Sequence, residues 1–131
     1  MLTRIRNSIL VRARKVKVVR TKSTFEISKI LEKEGFIESY EECDKVYLTE
    51  NSYHHKSILL TLKYKGSKQK PYISCIKIIS KPGIKSYVNH KNIPRVLGGI
   101  GIAVLSTSKG LLTDKEAREE KTGGEILFQM W

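Results

Sequence analysis

The fold of the second half of this chain is decided by residues 102–118, which read IAVLSTSKGLLTDKEAR. The apolar run 102–105 predicts a strand, and the hydroxyl-rich segment 106–110 follows it directly. Thr113 precedes Glu116 by three residues, the spacing of a capping box, which predicts a short helix after it. The segment 106–110 is therefore expected at the edge of a sheet, where the strand ends. Hydroxyls and backbone N–H groups there can contact phosphate, ribose or a base edge.

Outward from this stretch, the second half is expected to be mainly β with one short helix. Strands are predicted at residues 72–79, 86–88 and 125–131, because these runs are rich in β-branched, aromatic and apolar residues. The turn Lys81-Pro82-Gly83 lies between the first two strands. Proline and glycine in this order favour a tight chain reversal.

The first half opens with an amphipathic helix. Leu2, Ile5 and Ile9 recur at helical spacing with arginines between them, so this helix has a cationic side. Period-two alternation then predicts a short strand at residues 15–20. Further strands are predicted at residues 36–37, 45–48 and 57–64.

A second helix is predicted between the first two strands of this half. Either Thr21 or the capping-box pair Ser23 and Glu26 begins it. Gly35 ends it, because glycine favours the left-handed backbone that closes many helices.

Together these elements predict an α+β protein of two small domains. An N-terminal α/β domain is expected at residues 1–65, and a C-terminal, mainly β domain with one short helix at residues 66–131. The boundary is placed at the polar, basic segment 65–71, which reads KGSKQKP. A plain hairpin loop is an equally good interpretation of that segment.

Positive charge is concentrated in the middle of the chain. The net charge is +12, and residues 63–110 hold ten basic residues and no carboxylate. A stretch without acids avoids repelling phosphate, so nucleic acid is the expected partner. The alternative is an ordinary solvated lysine surface, although such surfaces usually intersperse both signs.

Several function classes find no support in the residues. Cys43 and Cys75 stand far apart without nearby ligands, which predicts reduced cysteines, no metal site and no cofactor. No apolar run reaches the roughly 20 residues of a membrane-spanning helix, so no membrane partner is expected. His54 and His55 are adjacent and would point to opposite faces of a strand. No nucleophile, base and oxyanion donors come together, so an enzyme is not expected.

Glycines and tyrosines in the basic region admit two interpretations each. Gly99 and Gly101 are not followed by a helical pattern, so a tight turn is favoured over a dinucleotide fingerprint. Tyr64, Tyr72 and Tyr87 alternate with lysines, as in stacking platforms beside phosphate-binding cations, although each could be an ordinary strand residue. Tyr87 is the tyrosine that we favour as a nucleic-acid contact.

The chain resembles one family, the bacterial- and plastid-type small-subunit ribosomal protein number eight. The matching segments occur in family order over essentially the full length. They are LTRIRN at 2–7, EGFI at 34–37, ISKPG at 79–83, PRVLGGIG at 94–101, STSKG at 106–110, TDKEAR at 113–118 and GGE at 123–125.

This resemblance implies a structural protein of the small ribosomal subunit. It would bind the central domain of 16S-type rRNA, support RNA folding and subunit assembly, and contact neighbouring small-subunit ribosomal proteins without forming a homo-oligomer. The lysine- and isoleucine-rich composition and the segment LKYKG at 62–66 are similar to plastid members. They favour a ribosome in the chloroplast stroma over one in a bacterial cytoplasm.

The resemblance and the residue patterns together give one set of expected rRNA contacts. The first helix, the turn after residue 80, the hydroxyl-rich segment and the start of the last strand contribute to it. The members are Arg4, Asn7, Lys81, Pro82, Gly83, Tyr87, Ser106, Thr107, Ser108, Lys109, Gly110 and Glu125.

Two other functions stay open on the residues alone. One is a basic RNA-processing or RNA-modifying enzyme that uses His54 or His55 with nearby acids. The other is a DNA architectural protein, which would bind duplex DNA and structured RNA with comparable affinity at matched salt.

Overall fold

The structure is a computed structural model that describes residues 1–43 and 56–131. The chain forms two compact units, Met1–Tyr72 and Ile73–Trp131. Each unit combines helix with antiparallel strands, which confirms the predicted α+β class.

The first unit, over its described residues, places β3 between β1 and β2 in an antiparallel sheet. Ile58, Leu60 and Leu62 alternate along β3 and are buried, as the period-two pattern predicted. The elements are α1 (Leu2–Leu10), β1 (Lys15–Val19), α2 (Lys22–Lys33), β2 (Ile37–Cys43), β3 (Ser57–Leu62), β4 (Tyr64–Lys65) and β5 (Lys70–Pro71).

Thr21 begins α2, the first of the two predicted starts. Its hydroxyl accepts a hydrogen bond from the Thr24 N–H at 3.1 Å, and Thr24 Oγ1 accepts one from the Thr21 N–H at 2.7 Å. The predicted closure by Gly35 is confirmed, since this residue follows the helix with φ of 79°. Ser23 and Glu26 lie inside α2 and do not cap it.

One strand of the first unit is longer than predicted. β2 continues from Ile37 to Cys43 through Glu38, Glu41 and Glu42. Acidic residues are uncommon in strands. Here the antiparallel pairing with β3 supplies hydrogen-bond partners for the backbone N–H and C=O groups of the segment, and these bonds do not depend on its side chains. The strand predicted at residues 45–48 lies outside the described residues.

The basic segment after β3 forms a hairpin. This is the second of the two interpretations of residues 65–71, the first being a domain boundary. Tyr64 pairs with Pro71 and Lys65 pairs with Lys70, and residues 66–72 belong to the first compact unit. The predicted domain limits, 1–65 and 66–131, stay a prediction about independently folding domains.

The second unit is a sheet built around its last strand. β10 pairs with β6 and β7 along one edge and with β8 along the other, and β9 lies beyond β8. Two short 3-10 turns, His90–Asn92 and Leu97–Gly99, precede β8. The named elements are β6 (Ile76–Ile78), β7 (Tyr87–Val88), β8 (Ile102–Thr107), β9 (Gly110–Thr113), α3 (Asp114–Glu119) and β10 (Gly124–Met130).

The predicted capping box of α3 is confirmed. Thr113 Oγ1 accepts from the Glu116 N–H at 3.3 Å, and Glu116 Oε2 accepts from the Thr113 N–H at 3.1 Å. The helix buries Ala117 in a core that includes Leu105 of β8 and Ile126 of β10. One face of the sheet is thereby covered by the helix.

The strand predicted at residues 72–79 was too long, since only Ile76–Ile78 forms β6. The N–H groups of Ser74 and Cys75 both donate to the Trp131 carbonyl, at 2.7 and 2.9 Å. Successive residues of a regular strand direct their N–H groups to opposite edges. Two consecutive donors on one acceptor therefore require a bend, and the strand begins after it.

The glycine-rich segment before β8 is a close-packed turn, as predicted. A Cβ atom on Gly101 would lie 2.5 Å from Val96 Cγ1 and 2.6 Å from the Met130 carbonyl oxygen. A strand follows this turn, whereas a dinucleotide fingerprint would open a helix there.

Candidate nucleic-acid interface

Three of the expected contact residues stand side by side across the sheet of the second unit. Glu125 on β10 is the direct antiparallel partner of Tyr87 on β7 and of Ser106 on β8. Opposite residues of antiparallel strands direct their side chains to the same face. The next pair along, Leu105 and Ile126, belongs to the core, so the three residues lie on the face away from that core. We call them the contact row.

The contact row offers three kinds of recognition group. Tyr87 is 69% exposed, and an exposed aromatic ring can stack on an unpaired base. Ser106 and Glu125 are partly buried and therefore held in place by their strands. Among the described residues, neither the Ser106 hydroxyl nor the Glu125 carboxylate has a hydrogen-bond partner.

Two glycines allow β10 to enter between its neighbours at this point. A Cβ atom on Gly123 would lie 2.5 Å from the Val88 carbonyl oxygen, and one on Gly124 would lie 2.3 Å from the Ser106 carbonyl oxygen. Real Cβ atoms do not approach backbone oxygens this closely, because the contact is strongly repulsive. Glycine at both positions therefore sets the spacing of the contact row.

The turn between β8 and β9 presents the hydroxyl-rich segment. Ser106 and Thr107 end β8 and are partly buried, whereas Ser108, Lys109 and Gly110 are exposed. The part of the segment at residues 108–110 is therefore accessible on its own unit.

Thr107 differs from the serines on either side of it. Its Oγ1 donates to the Gly110 carbonyl at 2.8 Å and accepts from the Lys109 N–H at 3.2 Å. This hydroxyl is occupied in closing the turn, whereas the hydroxyls of Ser106 and Ser108 have no partner among the described residues. The two serines are therefore the groups of this turn that are available to a ligand.

Lys109 is paired within its own unit. Its Nζ lies 3.1 Å from Glu120 Oε2, and both side chains are about half exposed, at 56% and 44%. An exposed pair of this kind contributes about 1 kcal/mol or less. A phosphate could therefore compete for the ammonium group at little energetic cost.

The turn at residues 81–84 is fastened next to the contact row. Lys81 and Ile84 exchange backbone hydrogen bonds of 2.9 and 3.0 Å across Pro82 and Gly83, and Gly83 has φ of 84°. All four residues are exposed. This is the geometry of a type II turn, for which proline and glycine are the preferred pair.

Ser80 joins this turn to β10. Its Oγ donates to the Ile126 carbonyl at 2.6 Å and accepts from the Ser86 N–H at 3.2 Å. Both ends of the turn are thereby tied to the strand that carries Glu125. The role of Ser80 could not be predicted from local sequence, because the carbonyl to which it donates lies 46 residues further along the chain.

Replacing Ser80 with alanine should loosen the turn and Tyr87 together. The loss of two hydrogen bonds from a partly buried hydroxyl should lower the free energy of unfolding by about 1–2 kcal/mol. Chemical denaturation measures this change, and amide hydrogen exchange should show faster exchange at residues 84–88. Ser74→Ala, at an exposed serine, is the control, and equal stability of the two variants would contradict the role given to Ser80.

The remaining expected contacts, Arg4 and Asn7, lie on α1 in the first unit. They are exposed and three residues apart, so they share one face of the helix. Arg4 Nη1 donates to the Lys17 carbonyl at 2.9 Å. This bond fixes the guanidinium while leaving its other N–H groups for a ligand.

Other kinds of site find little in the described residues. Over 1–43 and 56–131, no group of three or more His, Cys, Asp or Glu could hold a metal ion. Cys43 and Cys75 are free thiols. His54 and His55 lie outside the described residues. No helix in the described part of the chain is long and apolar enough to cross a membrane.

Comparison with known proteins gives full-length matches. The model of the family described as ribosomal protein S8 matches residues 1–131. The chain is 57% identical to small ribosomal subunit protein uS8c of Euglena gracilis, over all of this chain and 94% of that protein. It is 52% identical to uS8c of Chlorokybus atmophyticus, again over 94% of that protein. It is 50% identical to uS8 of Rippkaea orientalis, over 93% of that protein.

Proposed function

This chain belongs to the ribosomal protein S8 family, and from that premise we propose that it binds the central domain of small-subunit rRNA and supports RNA folding during subunit assembly. As a member of this family it is a structural component of the small ribosomal subunit, associated with rRNA and other ribosomal proteins. The central domain as target, and a single copy without self-association, are parts of the proposal.

The observation that carries the proposal is the contact row. An exposed tyrosine ring, a carboxylate and a serine hydroxyl lie in one line, next to the hydroxyl-bearing turn. Folded RNA presents unstacked bases, 2′-hydroxyls and phosphates, which such groups recognise by stacking and hydrogen bonding. Glu125 can accept a hydrogen bond from the amino group of a base. The phosphates of RNA carry no such donor, so this contact would be made with a base.

Charge would supply affinity, and the contact row would supply selectivity. Residues 73–110 of the second unit carry six basic residues and no carboxylate, a composition that attracts phosphate. Phosphate contacts give salt-dependent binding to any RNA, whereas groups that fit a local shape give preference for one RNA.

We propose that the protein acts without catalytic turnover. The groups of the contact row are suited to binding, since a tyrosine ring can stack on a base and a carboxylate and a hydroxyl can form hydrogen bonds with RNA. The alternative, an RNA-processing or RNA-modifying enzyme, depends on His54 or His55, and an assay for RNA cleavage or modification with both replaced by alanine would test it.

Its ribosome is of the plastid or bacterial type. Relatives named uS8c, among them the protein of Euglena gracilis at 57% identity, and relatives named uS8, among them that of Rippkaea orientalis at 50%, both match the full chain. We propose that the protein lies in the plastid stroma, because the Euglena gracilis and Chlorokybus atmophyticus uS8c proteins share 57% and 52% identity with it.

Replacing Ser106 and Ser108 together with alanine should weaken binding to the cognate rRNA helix. Two hydrogen bonds to RNA would be lost, so the dissociation constant should rise by about tenfold, at about 1 kcal/mol or less per bond. Binding to an unrelated duplex should stay nearly unchanged, because phosphate contacts are retained. Fluorescence anisotropy with both RNAs at one salt concentration measures the two affinities.

The matched control is Ser23→Ala with Ser74→Ala, which removes two exposed hydroxyls elsewhere. It should leave both affinities unchanged. Equal losses on the cognate and unrelated RNAs for the Ser106 and Ser108 variant would overturn selective recognition by this turn.

A further inference from the structure

A cation-lined recess in the first unit has no place in the sequence-based interface. Its volume is about 570 Å³, and it lies between the α1–β1 connection, the start of β2 and the β4–β5 hairpin. Its charged and polar walls include Arg12, Arg14, Glu38, Lys63, Tyr64 and Gln69.

Two arginines of the recess are available for a ligand. Arg12 and Arg14 are exposed, and among the described residues their guanidinium groups have no hydrogen-bond or ion-pair partner. Arg12 has φ of 55°, a left-handed conformation that non-glycine residues adopt rarely, at the point where the chain leaves α1. The turn therefore fixes the direction in which Arg12 leaves the backbone.

The wall of the recess is held in place by Tyr64. Its hydroxyl donates to the Ala13 carbonyl at 2.5 Å, which joins the hairpin to the segment between the two arginines. Burial raises the pKa of this hydroxyl, and the nearby positive charge of Arg12 opposes that rise. The tyrosine therefore stays protonated at neutral pH and keeps its donor role.

Lys63 contributes charge but is already engaged. Its Nζ lies 3.5 Å from the Gly35 carbonyl oxygen and 4.7 Å from the centre of the Tyr72 ring. Glu38 is exposed, and within the described part of the chain it forms no ion pair. The lining named above thus carries three positive charges and one negative charge.

We propose that this recess binds one phosphodiester of an RNA strand, gripped by Arg12 and Arg14. The inference rests on the proposed function, because it adds a second point of RNA attachment in the first unit. Arginine is suited to phosphate because its planar guanidinium presents parallel N–H donors to two oxygens. A phosphate is favoured over an acidic protein segment because protein interfaces bury aromatic and apolar anchors at their centre, whereas Leu62 at the base of this recess is buried within the unit.

Replacing Arg12 and Arg14 with glutamine should weaken binding of the full chain to the cognate central-domain rRNA fragment. Loss of one phosphate contact should lower the slope of log affinity against log salt by about 1, and affinity at fixed salt should fall by about tenfold. The charge-matched control is Lys22→Gln with Lys29→Gln, two exposed lysines of α2. The control should change affinity less than threefold and leave the salt slope nearly intact, because separated surface charges are screened.

A second variant separates charge from geometry. Arg12→Lys with Arg14→Lys retains both charges but loses the bidentate donors, so the salt slope should persist while affinity falls by about three- to fivefold. Circular dichroism of each variant verifies that the first unit is folded.

Glu38 gives a test with the opposite sign. Glu38→Gln removes the carboxylate that faces the same recess and should raise RNA affinity by about two- to threefold. Glu32→Gln makes the same chemical change on exposed α2 and should leave affinity almost unchanged. A variant that gains affinity cannot be explained by damage to the fold.

The outcomes distinguish this inference from the proposed function. If the wild-type chain shows no preference for the cognate RNA, the proposed function fails. If the preference and the effect of Ser106→Ala with Ser108→Ala stand, but the arginine variants match the lysine control, the phosphate recess alone is overturned. If the arginine variants bound RNA normally but lost binding to another ribosomal protein, the phosphate recess would also be overturned. The ligand of the recess would then be a protein carboxylate.

Discussion

Replacing Gly124 with alanine is expected to destabilise the second unit and to reduce RNA binding in the same variant. The new Cβ would lie 2.3 Å from the Ser106 carbonyl oxygen and 3.0 Å from Thr107 Cγ2. Both neighbours belong to β8, so relief requires β10 to move away from its partner strand. Forced overpacking of this kind should lower the free energy of unfolding by about 2–3 kcal/mol.

The expected loss of RNA binding follows from the same displacement. Glu125 is the next residue of β10 and pairs directly with Ser106. A shift of β10 therefore changes the spacing of the contact row under conditions where the unit is still folded. Denaturant titration gives the change in stability, and anisotropy at low temperature gives the change in affinity.

Gly83→Ala is the matched comparison for the stability measurement. A Cβ atom on Gly83 would meet nothing within 4 Å, so this variant carries only the strain of φ at +84°, about 1–2 kcal/mol. Gly124 has no positive φ, so its cost is purely steric. If Gly124→Ala unfolded at the wild-type denaturant concentration, β10 and β8 could not pass as closely as the structure shows.

Replacing Asp114 with alanine is expected to have the largest effect on stability. Asp114 is fully buried, and its Oδ2 lies 2.6 Å from Arg118 Nη2 while its Oδ1 accepts a hydrogen bond from the Ala103 N–H at 3.3 Å. The carboxylate thus ties α3 to β8 and neutralises an arginine that is three-quarters covered. Removing one partner of a buried ion pair costs about 3–5 kcal/mol, because the other charge is left uncompensated.

Asp114→Asn tests which part of this interaction dominates. The amide oxygen can still accept from the Ala103 N–H, but the charge opposite Arg118 is lost. We expect about half the loss seen for alanine, with thermal and denaturant unfolding as the measurements. Glu119→Ala, on the exposed side of α3, should change stability by less than about 0.5 kcal/mol. A similar effect of Asp114→Ala and Glu119→Ala would contradict the buried ion pair.

Much of the local structure was predictable because it depends on residues close in sequence. The caps at Thr21 and Thr113 need only a hydroxyl and a backbone N–H three residues on, so short-range spacing suffices to find them. The burial of alternate residues along β3 follows from the two-residue period of a strand. Most of β2 was not predictable in this way. Its acidic residues form a strand because β3, a separate segment of the chain, supplies the hydrogen-bond partners.

The candidate site divides in the same way. Ser108 and the exposed turn at residues 81–84 were accessible to sequence reasoning, because glycine, proline and hydroxyl residues mark turns. The different role of Thr107 was not, because Ser106, Thr107 and Ser108 are chemically alike and only the turn geometry decides which hydroxyl is consumed. Ser80 and the recess around Arg12 also depend on segments that are distant in sequence.

The α+β class, the helix caps, the carboxylate-free basic region and the resemblance to ribosomal proteins could all be inferred from the amino-acid sequence, because they depend on composition, order and short-range spacing. The position of Glu125 between Tyr87 and Ser106 follows from the folded chain alone, and so does the recess that Arg12, Arg14 and Tyr64 line. Strand register is set by backbone hydrogen bonds and side-chain packing between distant segments, and a shift of one residue would turn each side chain to the other face.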